Sequence, residues 1–218
     1  IDLRPMHFGI VIGFNTQDIE LENVGPQTYI REDGSQVTRS IVCDASKWNP
    51  GISVGVLADI RLSDYLNLRI TPTMHFGSKY LTFRDLDNLD ESGKARTETQ
   101  ELKNTYVSFP IDLKFSSKRH NNYRPYLMAG INPMLNLTSK EQDIIKLKRF
   151  DTMIEIGVGC DLYLPFFKLI PELKFCYSLS NALDKGQASQ LKDDTLKEMA
   201  GSVRAGHSKM IVLSFYFE

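Results

Sequence analysis

The sequence predicts an all-β protein, an eight-stranded antiparallel up-and-down transmembrane β-barrel with long external loops and short periplasmic turns. The first observation is a period of two: in Met210–Phe217, the residues Ile211, Leu213, Phe215 and Phe217 fall on one face, as in strands with unlike faces. The second is that long and short connections alternate along the chain. No apolar run reaches the roughly 20 residues of a membrane-spanning helix, and this absence does not exclude a membrane barrel, which has no such run either. At 218 residues, we expect a single barrel domain over 1–218.

Eight segments carry the alternation, and each is close to the about 9–11 residues that cross a bilayer at a tilt. They are Pro5–Asn15, Gly51–Leu62, Tyr65–Gly77, Thr105–Phe115, Tyr123–Leu137, Asp151–Leu164, Lys168–Leu179 and Ser208–Phe217. Prolines lie inside four of them, and each removes a ladder donor, so we expect bulges or strand ends there. The register therefore stays open at Pro72, Pro110, Pro133 and Pro171.

The connections sort by length between the two ends of the predicted barrel. The long or highly charged ones are Thr16–Pro50, Ser78–Asn104, Thr138–Phe150 and Ser180–His207, and the short ones are Ser63–Asp64, Ser116–Asn122 and Pro165–Phe167. Because they alternate, all long loops leave one end and all short turns close the other. This asymmetry is typical of outer-membrane barrels.

Two of the long loops are predicted to contain structure of their own. In the first, Thr28–Glu32 and Gln36–Ile41 flank Asp33-Gly34, a dipeptide that favours a tight hairpin turn. In the last, Ser189–Ala200 has the spacing of a short helix.

Alternation alone does not say which face points outward, but glycine and charge do. Glycine weakens a strand and has no use on a convex soluble surface, whereas a crowded concave interior needs small residues. The polar face carries Gly9, Gly13, Gly55, Gly77, Gly130, Gly157 and Gly159. It also carries charges of both signs, at Asp59, Arg61, Arg69, Asp112, Lys114, Arg124, Glu155, Asp161, Glu172 and Lys174. We predict that these charges form an interlocked network that fills the lumen; the alternative is the solvated outer face of a soluble barrel.

Aromatic residues gather near the strand ends, as expected at the two bilayer interfaces. Those at the short-turn end are Tyr65, Phe115, Tyr123, Tyr163, Phe166, Phe167 and Phe217. Tyr80 and Phe83 lie toward the other end.

Several kinds of chemistry lack support in the residues. The net charge of -1 with both signs mixed argues against nucleic-acid binding. Cys43, Cys160 and Cys176 form no CxxC pair, so we expect free thiols and no zinc site. No dinucleotide-binding, phosphate-loop or catalytic-triad motif is found, so we predict no cofactor, no metal and no small-molecule substrate. His7 and His75 face the predicted lumen, but His7 lies at the end away from the outer rim and His75 has no identifiable Ser–Asp pair nearby, so the chain is not predicted to be an enzyme.

Two adjacent strands resemble a known family. The stretch Tyr106–Phe115 followed by Tyr123–Gly130 resembles a paired motif of small outer-membrane β-barrel proteins of Bacteroidetes, in which a Tyr-x-x-x-Pro-Leu strand precedes an Arg-Pro-Tyr-x-x-x-Gly strand. Within that family the length and the segments Met6–Asn15 and Phe76–Arg84 are most similar to the PorT-type barrels of the type IX secretion system.

The resemblance implies a role in exporting proteins across the outer membrane of a Gram-negative bacterium. We expect contacts with outer-membrane lipid and with other secretion-system proteins, since an eight-stranded barrel is too narrow to pass a folded protein. A candidate contact is the turn residues Lys118, Arg119 and His120, whose alternative is a merely solvated turn. The alternative functions are a passive structural or adhesion barrel like the OmpA membrane domain, an outer-membrane enzyme, and a soluble ligand-binding barrel.

Overall fold

The computed structural model describes residues 5–30, 36–47, 49–89, 95–138, 147–183 and 201–218. Within them lie thirteen strands. In chain order they are β1 (Met6–Asn23), β2 (Gln27–Ile30), β3 (Gln36–Arg39), β4 (Ile41–Lys47), β5 (Pro50–Arg61), β6 (Leu66–Ile70), β7 (Thr73–Leu89), β8 (Ala95–Ser108), β9 (Ile111–Ser116), β10 (Tyr123–Asn136), β11 (Phe150–Tyr163), β12 (Lys168–Ser178) and β13 (Val203–Phe217).

Eleven of the strands form one antiparallel sheet that closes on itself. The last strand pairs with the first, from Ile10 opposite Phe217 to Asn23 opposite Val203. Around the ring, β1 pairs with β5, β10 with β11, β11 with β12 and β12 with β13. Each of the two remaining positions in the ring is occupied by two consecutive strands, β6 and β7 at one position and β8 and β9 at the other. The predicted eight-stranded antiparallel barrel is therefore confirmed.

Proline explains why two of the predicted strands are divided. The segment Tyr65–Gly77 is interrupted between β6 and β7 at Thr71-Pro72, and Thr105–Phe115 between β8 and β9 at Phe109-Pro110. Each proline lacks the N–H that its partner strand needs. In contrast, β10 and β12 continue through Pro133 and Pro171.

The wall reaches farther beyond the long-loop end than the sequence predicts. The predicted loop Ser78–Asn104 is largely a hairpin, because β7 and β8 stay paired as far as Leu89 opposite Ala95. The predicted loop Thr16–Pro50 contains the end of β1 and the unpredicted strand β4, which pairs with β7. Polar residues occupy both faces of much of these extensions, so the alternation that marks a strand in a membrane is lost.

The predicted hairpin in the first long loop is confirmed, with Gln27 opposite Arg39 and Ile30 opposite Gln36. Its turn at Asp33-Gly34 and the predicted helix at Ser189–Ala200 lie outside the described residues. Among the residues that the structure does describe, no helix is long and apolar enough to cross a membrane.

The alternation sorts side chains as expected for a barrel in a bilayer. Outward residues form an apolar belt in which Phe8 is 68% and Leu127 60% exposed, whereas inward Arg69 is 0% and Glu172 1% exposed. The belt includes Phe8, Ile10, Ile12, Phe14, Val54, Val56, Ile111, Leu113, Phe115, Leu127, Ile131, Ile156, Val158, Leu173, Phe175 and Phe217. A soluble barrel has the opposite arrangement.

Glycine on the inner face makes room for larger neighbours. A Cβ added to Gly159 would collide with the phenol of Tyr126, and one added to Gly130 would collide with Asp112. The predicted interface residue Phe83 departs from the expectation, because β7 turns it inward and buries it.

Candidate functional site: the filled lumen

The inner face of the barrel is organised in three layers along its axis. Nearest the short turns lies the charge cluster, formed by Asp59, Arg69, Asp112, Lys114, Glu155, Asp161, Glu172 and Lys174. Above it lies the polar belt, formed by Asn15, Gln17, Ser53, His75 and Ser108. At the long-loop end lies the apolar cap, formed by Ile19, Ile41, Cys43, Leu81, Phe83, Leu147, Ala182 and Leu183.

Arg69 on β6 is the centre of the charge cluster. Its guanidinium lies 3.2 Å from Asp59 Oδ2 and 2.6 Å from Glu172 Oε2. The rings of Tyr126 and Tyr216 lie 5.2 and 5.0 Å from it, and their hydroxyls donate to Glu172 at 2.5 and 2.7 Å. A buried charge is stable only when it is paired and hydrogen-bonded, and Arg69 and Glu172 meet both conditions.

A second cation ties the cluster to β11. Lys114 Nζ contacts both carboxylate oxygens of Asp161, at 2.7 and 2.8 Å, and lies 4.0 Å from Asp59. It also lies 4.1 Å from the ring centre of Tyr126. Lys114 and Arg69 therefore share Asp59 between them.

Lys174 on β12 contacts three carboxylates of the cluster. Its Nζ lies 3.2 Å from Glu155, 3.6 Å from Glu172 and 3.9 Å from Asp112. The amide of Asn132 donates to Glu155 at 2.8 Å. Because the members of the cluster come from β5, β6, β9, β11 and β12, the cluster crosses the lumen and joins opposite walls.

Two of the ten predicted lumen charges lie lower, at the short-turn rim. Arg61 forms an ion pair with Asp64, and Arg124 donates to the carbonyls of Ser117, at 2.9 Å, and Asp64. Both are half-buried. They fasten short turns to the wall and do not join the charge cluster.

The predicted contact residues Lys118, Arg119 and His120 lie in the exposed turn between β9 and β10. Arg119 Nε donates to Asn121 O at 2.7 Å, and its guanidinium lies 3.9 Å from the ring of Tyr163. His120 stacks on Tyr123 at 5.8 Å between ring centres. Arg119 and His120 thus hold the turn in shape, and Lys118 is exposed.

A line of hydrogen bonds crosses the polar belt. The amide of Gln17 donates to Asn15 at 3.2 Å, and that of Asn15 donates to Ser53 at 2.9 Å. His75 joins Ser53 and Ser108, with Nδ1 2.7 Å from one hydroxyl and Nε2 3.0 Å from the other. Sequence patterns do not reveal this Ser–His–Ser contact, because the residues come from three different strands, β5, β7 and β8.

Lys79, in the segment predicted as a loop, is a buried cation of a different kind. It is 3% exposed, and its Nζ contacts the hydroxyls of Ser208 at 3.2 Å and Tyr106 at 3.5 Å. The described residues place no carboxylate within ion-pair distance of it.

The apolar cap closes the upper lumen. Leu81 and Phe83 on β7 and Ile19 on β1 meet Cys43 on β4. Asn23 joins β1 to β4, donating to Cys43 O at 3.2 Å and accepting from Cys43 N at 2.9 Å. Burial, with a smaller effect of Asp44, raises the pKa of the Cys43 thiol to about 12.

Little free space remains between these layers. A cavity of about 10 Å³, lined in part by Thr73, His75, Ser108, Asn132 and Lys174, has room for about one water molecule. All three cysteines are free. Within the described ranges, no group of three or more His, Cys, Asp or Glu side chains could hold a metal ion.

Over residues 3–184 the sequence matches a family described as outer membrane protein beta-barrel domain. The chain belongs to this family. It is therefore an outer-membrane β-barrel protein of a Gram-negative bacterium.

Two solved structures are similar to the chain over almost its whole length. Neisserial surface protein A is 9% identical, with 98% of each chain covered and a TM-score of 0.41. OprG from Pseudomonas aeruginosa is 13% identical, with 96% of this chain and 91% of that chain covered and a TM-score of 0.47. No curated protein sequence matches the chain significantly.

Proposed function

We propose that the chain is an accessory barrel of a protein secretion system of type IX, and that it works through protein contacts and not as a wide pore or an enzyme. The observation that carries the proposal is the filled lumen. A barrel whose interior is occupied by its own side chains has only its ends and its outer wall for interactions.

The charge cluster supports a role without a channel. Arg69, Lys114 and Lys174 each contact two or more carboxylates from different strands. Moving any one of them aside would leave buried charges unpaired, which costs several kcal/mol. The apolar cap adds a second obstacle at the other end.

The polar belt supports a role without catalysis. His75 contacts two serine hydroxyls, but Ser53 and Ser108 are 0% exposed. Its two ring nitrogens face Ser53 and Ser108, so neither is oriented by a carboxylate as a serine nucleophile requires.

The resemblance supports the secretion role. The strands that carry it, Tyr106–Phe115 and Tyr123–Gly130, include Asp112 and Lys114 of the charge cluster and Tyr126, which donates to Glu172 of that cluster. They are joined by the turn that holds Lys118, so the same segment supplies lumen packing and an exposed surface at the short-turn end.

Deleting the gene and measuring the cargo proteins that cross the outer membrane tests the proposal. We expect cargo to accumulate in the periplasm and secretion to return on complementation. Normal secretion in the deletion strain would reject the secretion role and favour the passive structural barrel.

A charge reversal then tests the turn as the contact surface. We expect Lys118→Glu to reduce both secretion and co-purification of partner proteins in mild detergent, because the lysine is exposed. Phe166→Ala is the matched variant, since Phe166 is 96% exposed in another short turn. If Lys118→Glu lowers secretion and co-purification no more than Phe166→Ala does, the turn is merely solvated and is not a contact surface.

A further inference from the structure

Three prolines lie at the same height on neighbouring walls of the barrel. Thr71 N donates to Pro110 O at 3.3 Å, and Phe109 N donates to Pro133 O at 3.0 Å. Val56 N donates to Pro72 O at 3.0 Å. In a regular antiparallel ladder such pairs exchange two bonds, but proline has no N–H to return the second one.

The segment Phe109-Pro110 is the weakest point of this region. It connects β8 to β9, with Thr71 on one side and Pro133 on the other, and it keeps two of the four ladder bonds that two ordinary pairs would form. One freed carbonyl, Thr71 O, accepts instead from the Thr73 hydroxyl at 2.8 Å. The Thr71 carbonyl therefore finds a nearby side-chain donor, but the missing hydrogen bond between the strands is not replaced.

The cavity lies directly behind the same segment. Pro110 lines it together with Thr73, Ser108 and Asn132. Asn132 Oδ1 is buried without a hydrogen-bond partner, although buried polar atoms are normally paired. An amide that leaves the ladder here meets an available acceptor and room for a water on the inner side, and so avoids the cost of an unpaired group in lipid.

We propose that Phe109-Pro110 is a point of local opening in the barrel wall. There the β7–β8 hairpin moves relative to β6 and β9, which continue the wall toward the short turns, while the rest of the ring stays paired. In the opposite wall β12 contains the single proline Pro171, and β12 and β13 pair without a register shift from Leu169 opposite Phe217 to Tyr177 opposite Lys209. Local opening follows the places where ladder bonds are fewest. This inference does not depend on the secretion role.

Hydrogen exchange by mass spectrometry on the folded protein in detergent micelles tests it. We expect amides around Ser108 and Phe109 to exchange about tenfold or more faster than equally deep amides of β12 and β13, because two ladder bonds are absent. Equal exchange in the two walls would overturn the proposal.

Proline replacements separate this cause from general looseness of the wall. Pro110→Ala restores the donor to Thr71 and Pro133→Ala restores the donor to Phe109, and we expect each to slow exchange at Phe109 by about fivefold. Pro171→Ala is the matched variant, because Phe215, the residue opposite Pro171 on β13, is not a proline. If both test variants leave exchange at Phe109 unchanged, or if Pro171→Ala slows it equally, the opening point is rejected; either test variant suffices should the other fail to fold.

Discussion

Arg69 shows how one side chain can organise an interior. Its flat, forked guanidinium reaches Asp59 and Glu172 and lies over the rings of Tyr126 and Tyr216. A lysine ammonium is a compact point charge and cannot reach both carboxylates in this way. Arginine is therefore required here for its shape as much as for its charge.

Replacing Arg69 by lysine keeps the charge and removes the geometry. We expect Arg69→Lys to lower the free energy of unfolding by about 1.5–3 kcal/mol, because charged hydrogen bonds in a buried cluster are lost. Arg61→Lys at the rim should change it by less than about 1 kcal/mol, as for other exposed pairs. Urea unfolding of the two variants in lipid vesicles measures both, and equal losses would contradict the central place given to Arg69.

Two buried lysines differ in what surrounds them. Lys114 contacts both oxygens of Asp161, whereas Lys79 contacts, among the residues that the structure describes, the hydroxyls of Ser208 and Tyr106. Removing a paired charge leaves its partner unpaired, but removing an unpaired charge does not.

Methionine substitutions at these positions should therefore have opposite effects. We expect Lys114→Met to destabilise the barrel by about 3–5 kcal/mol and Lys79→Met to be neutral or stabilising. The same urea unfolding experiment decides it. A large destabilisation by Lys79→Met would mean that this ammonium has a stabilising role that its contacts do not reveal.

At the scale of elements, the membrane-crossing strands follow from the sequence and the extensions do not. The alternation of Met6–Asn15 locates the first membrane-spanning segment because lipid and lumen impose opposite polarity on successive residues. Beyond the apolar belt, successive residues no longer differ in polarity, so the sequences of β4 and of the outer part of β7 predict loops. Prolines at positions 72 and 110 correctly mark strand ends, but proline at 133 lies within an unbroken strand, so the residue type alone does not decide.

The thiol of Cys43 reports on β4, the strand that the sequence does not reveal. Because burial raises its pKa to about 12, the thiol stays protonated at pH 8. The side chain is also buried, so a reagent in solution cannot reach it. In a Cys160→Ala/Cys176→Ala background we expect no maleimide labelling of Cys43 in the folded barrel at pH 8 and full labelling after unfolding.

The neighbouring position provides the comparison. Asp44 is exposed on the other face of β4, so Asp44→Cys, combined with Cys43→Ala in the same background, should label rapidly in the folded barrel. Rapid labelling of Cys43 itself would show that β4 does not seal the apolar cap.

At the scale of the whole molecule, the interior changes from charged to polar to apolar along the axis. The sequence identifies the charged side chains that face inward, because alternate residues of a strand face opposite sides of the sheet. It does not identify their partners: Arg69 and Glu172 are 103 residues apart in sequence, and their contact depends on the stagger between distant strands. The apolar cap was missed for the related reason that its members come from segments predicted as loops.

The described residues fill the lumen with side chains, and we therefore expect no open channel through the barrel. Conductance of the purified, refolded protein in planar lipid bilayers at high salt tests this expectation. The filled lumen predicts insertion without uniform unitary current steps, for the natural sequence as well as for Lys118→Glu. Reproducible steps of one size, lost when the protein is unfolded, would show an open channel and contradict the account.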